Sequence, residues 1–139
     1  MTRTILTAGI LALMGCLSLG AQSIKLIATI PFDFRIGAHP MPAGDYTVSH
    51  EAGVLTLRRE SDKPKAAMIQ VLGASPSKGF NRATSKLVFN RYGEAYFLAS
   101  VWQAGYDSGL AVPQSKVEKE IASRGRGSIL TASARLQAK

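Results

Sequence analysis

Three features of the sequence predict a mainly β protein: a single-domain antiparallel β-sandwich or small barrel with one short C-terminal helix, preceded by a signal peptide. From Ile24 to Ile36, apolar residues recur at every second position, the period of a half-buried strand. From Leu87 to Trp102, LVFNRYGEAYFLASVW reads as two strands joined at Gly93-Glu94. Elsewhere, short apolar runs alternate with turn residues at intervals of about 8–12 residues, the spacing of all-β domains. A chain of 139 residues fits one such domain.

The elements divide into residues 1–21 as signal peptide, 22–112 as β domain, 113–125 as short helix and 126–139 as a basic, disordered tail. Met1-Thr2-Arg3 is a short positive start, Ile5 to Leu19 is apolar and uncharged, and Gly20-Ala21 supplies small residues before Gln22-Ser23. That is the anatomy of a secretory leader, and the apolar run is short of the ~20 residues of a membrane-spanning helix. The sole cysteine, Cys16, stands in LMGC, which resembles a bacterial lipobox, so lipidation at Cys16 competes with a cut after Ala21. The apolar Leu17 and Leu19 make a poor tether for a lipid anchor, which favours the cut after Ala21, although Leu19 is bulky for an A-x-A site. That cut leaves no cysteine, hence no disulfide, thiolate metal site or Cys nucleophile.

In IKLIATIPFDFRIG, Pro31 breaks the alternation, which calls for a kink or an edge strand. GAHPMPAGDY is turn-rich. Tyr46 to Ser49 and Val54 to Arg58 read as strands around an Ala52-Gly53 turn, and Ala66 to Leu72 as another strand. In the 87–102 hairpin, a type II′ turn at Gly93-Glu94 pairs Tyr92 with Ala95, Asn90 with Phe97 and Val88 with Ala99. That register puts Val88, Tyr92, Phe97, Ala99 and Val101 on one face. Leu87, Phe89, Tyr96, Leu98 and Trp102 take the other. Two apolar faces require either a ligand groove or cover on both sides. In VPQSKVEKEIASRG, Ser115 and Glu118 have the spacing of a capping box, Val117 and Ile121 share a helix face, and Gly125 is a stop. The Ser-, Ala- and Arg-rich remainder is expected to be disordered.

Little in the chain points to catalysis. The two histidines, His39 and His50, stand apart with no metal-ligand spacing, and their simplest reading is exposed loop residues. No phosphate-binding glycine motif occurs, and no cofactor is expected. Asp33 and Asp45 flank one loop, a pair of carboxylates that a cation would take. Arg91, Tyr92, Tyr96, Trp102 and Tyr106 cluster in sequence as a candidate ligand or interface surface, against the alternative of a packed aromatic core. Loss of Arg3 with the leader lowers the net charge of +8 to +7, which favours anionic partners: an envelope surface or polysaccharide, with nucleic acid not expected after export. The RGRG at 124–127 is too short to change that.

IPFDFRIG, MPAGDYTV, GVLTLR, KLVFNRYGEAYFLASVWQAG and VPQSKVEKEIA, in this order, resemble a group of small exported acidobacterial proteins with no established activity. The resemblance spans about Ile24 to Ala122. It implies export and a compact β domain, and carries over no catalytic residue. The expectation is a non-enzymatic envelope or periplasmic protein acting by binding or assembly, with a homo-oligomer if the second hairpin face is an interface. The alternatives are a barrel that holds a lipid or other apolar ligand and, remotely, an enzyme.

Overall fold

The computed structural model describes residues 24–61, 64–76, 78 and 81–136; the leader and Cys16 lie outside them. Among the described residues the strands are β1 (Ile24–Ile30), β2 (Phe34–Ile36), β3 (His39–Met41), β4 (Gly44–Glu51), β5 (Val54–Arg59), β6 (Lys65–Gln70), β7 (Leu72–Ala74), β8 (Ser85–Tyr92), β9 (Ala95–Trp102), β10 (Gly109–Ala111) and β11 (Ser128–Leu136). One helix, α1 (Lys116–Arg124), precedes β11.

The pairings run in a circuit. β1 pairs with β4, β4 with β5 and β5 with β6. After Val71 the same stave continues as β7, which pairs with β10. β10 pairs with β9, β9 with β8, β8 with β11, and β11 with β1. Every pairing on the circuit is antiparallel, and the sheet is a nearly closed barrel. Val71 stays anchored by donating its N–H to the Gly53 carbonyl at 3.0 Å.

A barrel of about eight staves is just wide enough for side chains to fill. Here Leu26, Ala28, Ile30, Tyr46, Val48, Leu55, Leu57, Leu87, Phe89, Leu98, Val101 and Ala132 point inward and pack as one buried cluster. The alternation read in β1 is the alternation that fills this core. Pro31 ends β1, as its missing N–H demands, and the chain bends before resuming as β2. The bend drops Phe32 and Phe34 into one mouth of the barrel. The Phe32 ring stacks on Tyr96 at 4.2 Å and meets Phe89 edge-on at 5.0 Å, while Phe34 meets Tyr46 and Phe89 edge-on. The turn-rich segment 37–46 carries β3, which pairs with β2. The β2–β3 hairpin touches the barrel pairing only where Arg35 lies opposite Phe97.

The 87–102 hairpin turns where the sequence places it. Gly93 has φ +62°, the sign that a type II′ turn needs at its first central position. Four pairs, from Tyr92–Ala95 to Phe89–Leu98, keep the expected register; then a bulge shifts it, so Val88 faces Ser100 and Leu87 faces Val101. One extra residue in β9 exchanges the faces beyond it. Val101 therefore belongs to the core, and Trp102 shares the outer face with Ser100, whose Oγ accepts its indole N–H at 2.9 Å.

The expected disorder after residue 125 is overturned: residues 128–136 form β11, paired on both sides. The β domain therefore extends well past residue 112. The inner positions of β11 include Ala132 and Ala134, small residues that suit a narrow lumen but carry little strand propensity. The helix forms as expected, with the Ser115 side chain accepting the Glu118 N–H at 3.2 Å. The reciprocal half of the capping box is absent, because the Glu118 side chain turns to the barrel wall instead.

Ala52 and Gly53 both have positive φ, +49° and +78°, the requirement of a type I′ turn. An alanine there is strained by about 1–2 kcal/mol, and Asn is the residue such turns favour. Ala52→Asn should therefore raise the melting temperature by about 2–5 °C in a thermal unfolding scan followed by circular dichroism.

Candidate functional site

Two concavities sit at opposite ends of β9, separated by the six residue steps from Ala95 to Val101, about 20 Å at strand rise. The larger is an open cleft of about 660 Å³ between the β2–β3 hairpin, the start of β6 and the β8–β9 turn. Its apolar floor is Phe34, Met41 and Tyr96, with Pro40 and Pro42 on one wall. Asp33, Arg35, Lys65 and Glu94 stand around it. The Asp33 carboxylate is committed to the chain, accepting the Ala43 N–H at 2.8 Å. Neither Arg35 nor Lys65 makes an ion pair among the described residues.

The cleft is held rigidly by Tyr46, which is fully buried and donates its hydroxyl to the Pro42 carbonyl. Burial pushes the Tyr46 phenol above its usual value of 10.0; Arg59 pulls it partly back, and Asp33 pushes it up again. Pro40 in β3 and Pro42 just after it lack backbone N–H groups, and proline is one device by which edge strands are kept from pairing with other chains.

The smaller concavity, about 220 Å³, lies at the far mouth between His50, Val101 and the segment Gln103–Leu110. Its loop is braced at several points. Ser85, buried, accepts the Ala104 N–H at 2.9 Å, and the Gly105 N–H reaches the Arg82 carbonyl at 3.0 Å. Arg82 also forms an exposed ion pair with Asp107 at 2.9 Å. At Gly109 a Cβ would stand 2.6 Å from the Trp102 ring, so only glycine lets the strand pass. Within this framework the Oε1 of Gln103 is buried and has no hydrogen-bond partner. A buried acceptor left in that state costs about 1–3 kcal/mol.

The outer face of the hairpin meets this chain's own helix at Asn90 and Tyr92. Glu118 is buried, and its Oε1 accepts from Asn90 Nδ2 at 2.9 Å and from the Tyr92 hydroxyl at 3.2 Å. The Tyr92 ring in turn meets Phe97 edge-on at 6.0 Å. Glu118 stands in the first turn of α1, where the helix dipole favours a carboxylate. Burial raises the Tyr92 phenol above its usual value, and the Glu118 charge and hydrogen bond raise it further.

The five residues that cluster in sequence do not form one platform. Arg91 lies over the Tyr96 ring at 5.5 Å, near the cleft. Tyr92 reaches under the helix. Trp102 and Tyr106 belong to the other end, where Tyr106 is 40% exposed. Asp33 and Asp45 are each occupied by the fold, Asp45 accepting from Thr29 Oγ1 at 2.6 Å. His39 is exposed in β3, while His50 lines the far mouth. Sequence reasoning overlooked Arg35, Lys65 and Glu94 around the cleft and Gln103 at the far mouth; no motif joins them, and only the glycines at 105 and 109 hint at a shaped loop. Compared with known proteins, the chain matches no family model, no curated protein and no solved structure.

A raised phenol keeps its proton longest in the folded state. The stabilisation from Tyr92 and Tyr46 is therefore complete below pH 10 and is lost as pH climbs through their folded values. Tyr92→Phe should cost about 1 kcal/mol at neutral pH, from the lost hydrogen bond. It should also reduce the fall in stability between pH 7 and about pH 10.5. Urea midpoints at the two pH values measure both effects.

Proposed function

We propose that the protein is an exported, non-enzymatic binding protein of the bacterial envelope, and that the cleft beside Arg35 and Lys65 takes a molecule with an apolar body and an anionic end. The observation that carries this reading is the cleft itself: Phe34, Met41 and Tyr96 lie next to Arg35 and Lys65, which make no ion pair among the described residues, with the Asp33 and Glu94 carboxylates also around the cleft. An acyl or aromatic body covers what Tyr96, Pro40 and Pro42 still expose, at about 25 cal/mol per Å² covered, over Phe34 and Met41, which are already buried. An anionic end meets Arg35, whose fork suits carboxylate and phosphate. The basic balance of the chain acts in the same direction at longer range. Export rests on the leader-like residues 1–21.

A lipid enclosed within the barrel is the other reading in this class. The inward hairpin residues Leu87, Phe89 and Leu98 are already spent on the buried cluster, which favours the mouth over the lumen.

The test uses 8-anilino-1-naphthalenesulfonate, an aromatic body with a sulfonate, titrated into the exported protein by fluorescence. Arg35→Glu and Lys65→Glu, both exposed positions, should each weaken binding about tenfold, or 1.4 kcal/mol, with an unchanged circular dichroism spectrum. Binding indifferent to both substitutions would overturn the cleft assignment. The intact mass of the exported protein should begin at Gln22; an acylated mass beginning at Cys16 would make it a lipoprotein, and an uncut cytoplasmic chain would remove the export reading.

A further inference from the structure

We propose that the cleft binds the C-terminal end of an extended peptide, which adds as a strand to the free edge of β6. The inference rests on the cleft assignment above and names the class of molecule that supplies the apolar body and the anionic end.

The barrel is open along one seam. Among the described residues β6 pairs with β5 alone, and its stave finds a second partner only past Val71, where β7 meets β10. The Val71 N–H is given to Gly53, on the β5 side. Successive residues of an antiparallel ladder turn their backbone groups to opposite sides. Lys65, Ala67 and Ile69 therefore point theirs at β5, and Ala66, Met68 and Gln70 turn theirs to the seam. Proline and charge, two usual guards of a sheet edge, are absent from Ala66 to Gln70. The opposite bank is β3, whose Pro40 has no N–H to give. The β2–β3 turn closes the seam at Ile69, where a Cβ on Gly37 would stand 3.0 Å from Ile69 Cδ1. The open part runs from Lys65 to Met68, about 14 Å at strand rise, beside the cleft that Lys65 lines.

Strand direction selects which end of a peptide enters. An antiparallel peptide, like every neighbour on the circuit, runs from the Met68 end of β6 to the Lys65 end. Its last residue then lies opposite Lys65, and its carboxylate emerges where Lys65 and Arg35 line the cleft. The penultimate and fourth-from-last residues lie opposite Ala66 and Met68 and exchange about four backbone hydrogen bonds with them. The last and third-from-last residues share the inward side of Lys65 and the buried Ala67. Apolar side chains at those two positions fall on the side where Phe34 and Met41 join the core. A fatty acid meets the same floor and the same cations, but leaves the Ala66 and Met68 backbone groups unused. Strand addition and carboxylate capture are both general modes of peptide recognition.

The probe is fluorescein-Gly-Gly-Ser-Leu-Ser-Leu with a free C-terminus, titrated with the exported protein and followed by fluorescence anisotropy. It should bind in the micromolar range, and its C-terminal amide about tenfold more weakly. N-methylation of the penultimate serine removes a hydrogen bond to Ala66 and should weaken binding about tenfold. N-methylation of the leucine before it, whose N–H faces away from β6, should change affinity by less than about threefold. Met68→Pro deletes one of the N–H groups turned to the seam, so it should abolish binding with an unchanged circular dichroism spectrum. Hydrogen exchange at the Ala66 and Met68 amides should slow in the complex. The proposal is overturned by no binding at about 1 mM peptide, by equal affinity for the two N-methylated peptides, or by a concentration-dependent dimer that protects the same amides without peptide. If 8-anilino-1-naphthalenesulfonate still binds through Arg35 and Lys65 in that event, the cleft assignment stands and the peptide class alone falls. If it too is indifferent to both substitutions, both fall.

Discussion

The barrel depends on one insertion: β11, the last strand, enters between β8 and β1. On one side Ala132 pairs with Leu87, and on the other Ala134 pairs with Ala28. Without it, β1 and β8 would each expose an unpaired edge to water or to other chains. The remaining circuit is built from neighbouring hairpins and the short β7–β10 bridge, so this junction joins the two halves of the chain. It also sets the lumen. Alanines at the inner positions of β11 leave room for Phe89, Leu26 and Leu87, which the same stretch of wall must accommodate at native packing density.

That insertion accounts for the two apolar faces of the 87–102 hairpin. The inner face meets the lumen; the outer face meets α1, the element that brings the chain round to the start of β11, at Asn90 and Tyr92, and Gly109 at Trp102. Glu118 is the contact point, a buried carboxylate held by two neutral donors and the helix N-terminus rather than by a cation. A hydrophobic residue there would seat the helix less specifically, because Asn90 and Tyr92 would lose the acceptor that fixes its position. The polar Asn90, set among apolar neighbours on a buried face, is explained by the same contact.

The sequence was most legible where local chemistry and tertiary demand agree. The period of two in β1, the Gly93-Glu94 turn and the Ser115 cap each needed only adjacent residues to be read. It was least legible where the fold overrides local preference. Ala132 and Ala134 look like linker residues until a lumen requires small side chains, and Ile129 points outward, 74% exposed, contrary to what its type suggests. The bulge after Phe89 has no residue signature, and it exchanges the faces of Val101 and Trp102. Strands of three residues, as in β3, β7 and β10, are too short to show a period. Both concavities are assembled from separated segments: the cleft takes Arg35, Lys65 and Glu94 from three of them, and Gln103 faces His50 from more than fifty positions away.

A filled, nearly closed barrel restricts where chemistry can occur. Its lumen is packed and its wall strands are largely paired, so unsatisfied groups collect where staves end and loops begin. Here the two ends differ in kind. One sets Arg35, Lys65, Asp33 and Glu94 around an apolar floor; the other gathers His50, Gln103, Tyr106 and Ser108. Both stand on β9, whose backbone is locked on either side by β8, β10 and the touch of β2 at Phe97. A stave so constrained fixes the distance between the two mouths. The architecture is therefore that of a packed spacer whose two unlike ends stand about 20 Å apart.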